Sequence, residues 1–109
     1  MVIRNFTPHA ITLICDGEKT TFESEGAIRL EEKITETPKI GGFETIRKEY
    51  VGALGLPETK ADVFIIVSGI VLSALGGSRK DLISPDTGPD SAIRNEKGHI
   101  IGVKRFLRM

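Results

Sequence analysis

Two aspartates and two prolines crowd into one short segment near the end of the chain, with arginines on both sides. The segment reads SPDTGPDSAIR at residues 84–94. Arginine presents a planar fork that binds phosphate oxygens in pairs, and an aspartate carboxylate accepts hydrogen bonds from ribose hydroxyls. These residue types therefore fit a phosphorylated ligand of nucleotide size. The residues of this region predicted to bind it are Arg79, Asp86, Thr87, Gly88, Arg94 and Arg105.

The same segment also fits an ordinary connector. Asp and Pro favour turns for purely local reasons, and the arginines would then be solvated or paired with the aspartates. Asp86 and Asp90 alone do not specify a general acid and base or a metal site, because two carboxylates four residues apart on a proline-broken loop form no ligand set. The sequence leaves the binding loop and the connector as alternatives.

A second polar stretch, Val67-Ser68-Gly69, stands at the start of a predicted helix. Unpaired backbone N–H groups and a positive dipole at a helix start can hold a phosphate, and Gly69 permits a close approach. Ordinary N-capping by Ser68 explains the same residues without a ligand. No GxxxxGK[ST] motif is present, so a P-loop is not expected.

The third polar stretch runs from Asn5 to His9 and includes Thr7. These side chains are predicted to contact the ligand, although a strand-entry turn in which Asn5 and Thr7 bond their own backbone is the alternative. His9 has no nucleophile motif and no second metal-ligating residue beside it. We therefore predict ligand-binding residues only, with no catalytic residue, no metal and no cofactor.

Hydrophobic spacing and turn signals predict the elements that must position these residues. Residues 63–67 form an uninterrupted apolar run typical of a buried strand, and Ser68 then caps a short helix that Gly76-Gly77 ends. Asp16-Gly17 favours a type I′ hairpin turn. Three hairpins are predicted, pairing 10–15 with 20–23, 27–37 with 43–51, and 92–94 with 99–107. The predicted fold class is α+β: a mostly antiparallel β-sheet with one short helix at about 68–76 and a C-terminal β-hairpin, in one domain over residues 1–109.

The composition of the chain argues against some classes of partner and indicates a cellular compartment. Lys plus Arg and Asp plus Glu number 15 each among 109 residues, so the broad basic field that polymeric nucleic acid demands is not expected. The longest apolar run, residues 63–75, is shorter than the roughly 20 residues of a membrane-spanning helix. The single cysteine, Cys15, cannot form an internal disulfide and fits a reducing cytosol. A cytoplasmic protein with no membrane partner is predicted.

Four stretches together carry a resemblance to small proteins encoded by bacteriophages and prophages: NFTPHAITL, DVFIIVSGIVLSAL, DLISPDTGPD and NEKGHIIGVKRF. Among such proteins, the chain is similar to the Thoeris anti-defence proteins in being small and free of catalytic motifs. Those proteins sequester cyclic ADP-ribose-type signals or cyclic oligonucleotides made by host immune enzymes. The resemblance implies a nucleotide sponge for immune evasion in the bacterial host cytosol, and none of that family's binding residues is carried over to this chain.

A sponge needs a shaped site for a base and phosphates but no nucleophile. Phe6, Tyr50 and Phe106 are candidates for the base slot, with core packing as the alternative role. Exposed sheet edges favour association, so a homo-oligomer is expected. Two other functions stay open: a hydrolase or lyase of the same signal with His9 as general acid or base, and a structural or protein-interaction component of a phage.

Overall fold

The computed structural model describes all 109 residues, which form ten strands and one helix joined by turns and loops. The strands form two four-stranded sheets and a separate two-stranded ribbon. In chain order the elements are β1 (Val2–Asn5), β2 (Ile11–Cys15), β3 (Glu18–Phe22), β4 (Arg29–Ile40), β5 (Phe43–Leu54), β6 (Val63–Ile66), α1 (Gly69–Leu75), β7 (Leu82–Pro85), β8 (Ala92–Arg94), β9 (Ile100–Val103) and β10 (Phe106–Leu107).

The first sheet has the order β1-β6-β7-β10 and holds the core. Strands β1, β6 and β7 are parallel, and β10 is antiparallel to β7. Helix α1 makes the crossover between β6 and β7, as a parallel connection requires. Its Val71 and Leu72 are buried with Ile65, Val67 and Leu82 in one apolar cluster. At seven residues α1 is short, and no helix of the molecule is long and apolar enough to cross a membrane.

The second sheet has the order β3-β2-β9-β8 and is built on two hairpins. Asp16 and Gly17 take φ angles of 50° and 80°, which confirms the predicted left-handed turn between β2 and β3. The β8–β9 turn ends at Gly98 with φ 82°, beside a register shift at Arg94. Strand β9 joins the two hairpins by pairing in parallel with β2 at Leu13 and Val103.

Strands β4 and β5 form a long antiparallel ribbon joined by Gly41 and Gly42. Both glycines have positive φ, at 58° and 83°, which a tight two-residue hairpin needs. The radius of gyration is 16.7 Å, against about 13 Å for a compact chain of this length. The ribbon therefore extends away from the two sheets.

The predicted fold class is confirmed, including the N-cap at Ser68, but two strands are additional. Strands β1 and β7 were not predicted, because they are four residues long and pair with segments distant in sequence. The C-terminal hairpin is also shorter than predicted. Strand β9 ends at Val103, and Phe106–Leu107 leaves the hairpin to pair with β7.

Candidate functional site

The carboxyl ends of β1, β6 and β7 meet at one edge of the first sheet, because the three strands are parallel. A groove of about 390 Å³ opens at this edge. We call it the strand-end groove. It is lined by Thr7, Pro8, His9, Ile11, Ser68, Gly69, Ser84, Pro85, Thr87 and Leu107. Five of the eleven residues predicted to bind a ligand are among them: Thr7, His9, Ser68, Gly69 and Thr87.

Asn5 fixes the turn that forms one wall of the groove. It is 1% exposed, and its Nδ2 donates to the carbonyl oxygens of His9 at 2.8 Å and Phe22 at 2.9 Å. Its Oδ1 accepts from the backbone N–H of Thr7 at 2.9 Å and lies 2.7 Å from the buried Thr7 Oγ1. Asn5 and Thr7 therefore hold the backbone of the strand-entry turn, while His9 stays exposed at the rim.

Ser68 and Gly69 lie where β6 leads into α1. The Ser68 backbone is extended, and its hydroxyl oxygen accepts from the backbone N–H of Val71 at 3.3 Å. The hydroxyl hydrogen of Ser68 remains free to donate toward the groove. A Cβ placed on Gly69 would meet no atom within 4 Å, so the space beside this glycine is open.

Ser84 is a groove residue that the sequence did not single out. It lies near the end of β7 and is 2% exposed, and its hydroxyl takes part in none of the side-chain hydrogen bonds of the structure. No polar side-chain atom that is sealed from solvent lacks a hydrogen-bond partner, so the Ser84 hydroxyl opens into the groove. Sequence reasoning would have found Ser84 only by predicting that residues 82–85 pair in parallel with β6. That pairing places Ser84 at the carboxyl edge of the sheet.

The proline-rich loop after β7 is held in place by polar contacts to Asp86, which are partly buried. The Arg105 Nε–H donates to Asp86 Oδ2 at 2.6 Å, and the backbone N–H of Gly88 donates to Asp86 Oδ1 at 2.9 Å. These hydrogen bonds, the arginine's first, hold the pKa of Asp86 below its ordinary value of 3.8. The same pairing raises the pKa of Arg105. Asp86 and Arg105 are therefore an ion pair that shapes the loop, and Thr87 is the loop residue that lines the groove with a hydroxyl.

Ser91 ties the far end of that loop to the C-terminal segment. Its side chain is fully buried, and its Oγ accepts from the backbone N–H of Lys104 at 3.0 Å and of Arg105 at 3.3 Å. The segment 84–94 thus combines both roles considered from the sequence. Most of it is a braced connector, and its first residues form a wall of the groove.

Arg79 and Arg94 do not line the groove. Arg79 precedes β7, at the amino edge of the parallel strands, where its Nε and Nη2 donate to the two carboxylate oxygens of Asp81 at 2.9 and 2.8 Å. This pairing lowers the pKa of Asp81. Arg94 is in the β8–β9 hairpin and donates to the Gly98 carbonyl oxygen at 2.6 Å. The three arginines predicted to bind one ligand are therefore not brought together, because Arg79, Arg94 and Arg105 each contact a different protein group.

None of the three aromatic residues considered for a base slot lines the groove. Phe6 packs against the core, Phe106 lies 6.4 Å from the Phe22 ring, and Tyr50 is on the ribbon. Pro8, Ile11, Pro85 and Leu107 provide the apolar walls instead.

A smaller cavity of about 190 Å³ continues from the groove. It shares Ile11, Pro85 and Thr87 with the groove, and it otherwise lies against β2 and β9. We call it the inter-sheet pocket. The three shared residues place the two cavities next to each other.

The protein is a small α+β domain with a groove at the carboxyl edge of its parallel strands. Open sheets with parallel strands commonly bind ligands at this edge. No protein-family model, curated protein or solved structure matches the chain.

Proposed function

We propose that the protein captures a nucleotide-type signal in the strand-end groove and holds it without cleaving it. The observation that carries this proposal is the placement of three hydroxyls, from Ser68, Ser84 and Thr87, among apolar walls at the carboxyl edge of the parallel strands. A volume of about 390 Å³ is within the range of small-molecule sites.

The groove offers separate surfaces for the parts of a nucleotide. Its proline, isoleucine and leucine walls suit the face of a base, and the hydroxyls suit ribose and phosphate oxygens. His9 at the rim can donate to a phosphate. Helix α1 has only seven residues, so we ascribe phosphate binding to the side chains rather than to its dipole. The inter-sheet pocket would take a second unit, as in a cyclic ADP-ribose isomer or a cyclic oligonucleotide.

The hydrogen bonds of the polar groups in and beside the groove favour sequestration over turnover. None of the groove hydroxyls bonds the His9 imidazole: Thr7 Oγ1 donates to the His9 backbone carbonyl oxygen, and Ser68 Oγ accepts from Val71, so no hydroxyl is paired with a general base. The nearby Asp86 carboxylate is occupied by Arg105 and Gly88. With the resemblance to phage proteins, this supports an anti-defence sponge that acts in the cytosol of a bacterial host.

Release of the bound molecule tests the proposal. The protein is co-expressed with signal-producing immune enzymes, purified, heat-denatured, and its released small molecules are identified by mass spectrometry. We expect an intact cyclic nucleotide in about stoichiometric amount. A cleaved product would favour a hydrolase or lyase that uses His9. If no nucleotide is released and a panel of cyclic nucleotides is not depleted either, the binding proposal is wrong, and a phage structural or protein-interaction role gains support.

A further inference from the structure

The β4–β5 ribbon has two unlike sides. Residues paired across an antiparallel ribbon share a side, and neighbours along a strand alternate. One side is wholly polar over the middle of the ribbon and carries the pairs Lys33–Glu49, Thr35–Arg47 and Thr37–Thr45. The other side carries Glu32–Tyr50, Ile34–Lys48 and Glu36–Ile46. Three large apolar side chains therefore share one side, which we call the mixed side.

These apolar side chains are uncovered. Ile34 is 57% exposed, Ile46 53% and Tyr50 43%. Seven of the fourteen exposed large apolar side chains of the molecule belong to the ribbon: Ile34, Ile40, Phe43, Ile46, Tyr50, Val51 and Leu54. Only the base of the ribbon, at Leu30, packs against the core. A two-stranded ribbon is marginally stable in water, and three or more strands are needed for independent stability.

The free edge of β5 is suited to accept another strand. β5 is twelve residues long, contains no proline and is regular from Phe43 to Tyr50, with its bulge at Val51, whereas the β4 edge is interrupted by Pro38 and by a register shift near the tip. A regular strand edge without proline pairs readily with another chain.

We propose that the β5 edge pairs antiparallel with the β5 edge of a second copy of this chain, about a two-fold axis at Ile46. The two ribbons then form one four-stranded sheet. The overlap covers residues 43–49 of each copy, about 23 Å of strand.

Charge complementarity selects this register. Opposite residues of paired strands point to the same side of a sheet, and side chains alternate along each strand. The two-fold axis must therefore lie beside one residue that is directly opposite the same residue of the other copy. Glu44, Arg47, Lys48 or Glu49 at that position would place like charges opposite each other, which is unfavourable. Tyr50 lies beside the bulge at Val51, and Thr45 would bring no opposite charges together. With Ile46 on the axis, Glu44 of each copy faces Lys48 of the other, and both pairs lie on the mixed side.

Charge reversal gives a test that distinguishes this register from any other. Glu44→Lys alone would set two lysines opposite each other, and Lys48→Glu alone would set two glutamates opposite each other. Each variant should dimerise about tenfold more weakly than the wild type in sedimentation velocity over a concentration series. An equimolar mixture of the two variants should regain wild-type affinity as a heterodimer, because both facing pairs become Lys–Glu.

Controls keep the outcome interpretable. Circular dichroism should show that both variants fold, since both side chains are exposed. Glu36→Lys changes a charge on the same side of the ribbon but on β4, and it should leave dimerisation unchanged. A monomeric wild type, undiminished dimerisation of either single variant, or no recovery on mixing would each overturn the proposal.

Discussion

At the scale of residues, the groove depends on which side chains remain free after the fold has satisfied its own contacts. The sequence predicted the arginines as ligand-binding residues, yet Arg79 forms an ion pair with Asp81 and Arg105 with Asp86. Ser84 was not singled out, yet it is a largely buried residue whose hydroxyl opens into the groove. Residue type alone could not reveal this difference, because it depends on neighbours that are distant in sequence.

Ser84→Ala separates binding from stability. Since the hydroxyl makes no hydrogen bond in the protein, its removal should change the free energy of unfolding by less than about 0.5 kcal/mol. Loss of a hydrogen bond to a ligand should weaken capture about tenfold. Chemical denaturation and equilibrium binding measure the two effects. A large loss of stability with unchanged capture would show that Ser84 is only a packing residue.

Acid stability should depend on Asp86. Its pKa is lowered in the folded state by Arg105, so the unfolded state binds more protons between that lowered pKa and about pH 4. The stabilisation is present above about pH 4 and is lost as the pH falls through the folded-state pKa. Asp86→Asn should therefore be less stable at neutral pH, and its stability should fall less steeply on acidification.

Urea unfolding at a series of pH values checks this. Asp81 retains its own lowered pKa, so part of the acid dependence should remain. Glu96→Gln, at an exposed carboxylate in the β8–β9 turn that makes no side-chain hydrogen bond, is the matched control. An acid profile of Asp86→Asn parallel to that of the wild type would contradict the role of the Arg105 pair.

At the scale of elements, the sequence predicted those parts whose signal is local. Asp16-Gly17, the Ser68 cap and the apolar run at 63–67 each specify geometry within a few residues, and all three are found as predicted. Strands β1 and β7 have no comparable signal. They are strands because β6 lies beside both, and this parallel pairing creates the edge where the groove opens.

The turn between β1 and β2 should be sensitive to Asn5. Asn5→Ala would leave buried partners unpaired, including the Phe22 carbonyl oxygen and the Thr7 backbone N–H. We expect a loss of about 3 kcal/mol in the free energy of unfolding, measured by urea denaturation. His9→Ala, at an exposed side chain in the same turn, should change stability by less than about 0.5 kcal/mol. Equal effects of the two substitutions would contradict the network described for Asn5.

At the scale of the whole molecule, the fold class could be predicted but the shape could not. The molecule measures 54 × 38 × 21 Å because the β4–β5 ribbon extends away from the two sheets. The sequence predicted this ribbon as a hairpin but did not predict that it extends away from the rest. The groove joins residues from both ends and the middle of the chain, including Thr7, Ser68 and Thr87. Local patterns found these residues, and only the three-dimensional arrangement could group them and leave Arg79 and Arg94 out.

Ligand capture by Gly69→Ala tests the central claim most directly. The added methyl group meets no protein atom within 4 Å, so it should leave the fold intact and should not lower the melting temperature. Because Gly69 lines the groove, we expect the methyl group to narrow it. Gly77→Ala is the matched control, because its methyl group also meets open space but lies outside the groove. We predict that the wild type and Gly77→Ala deplete the same cyclic nucleotide from solution and return it intact, while Gly69→Ala binds it at least about tenfold more weakly. Equal capture by Gly69→Ala and the wild type would contradict the assignment of the strand-end groove as the binding site.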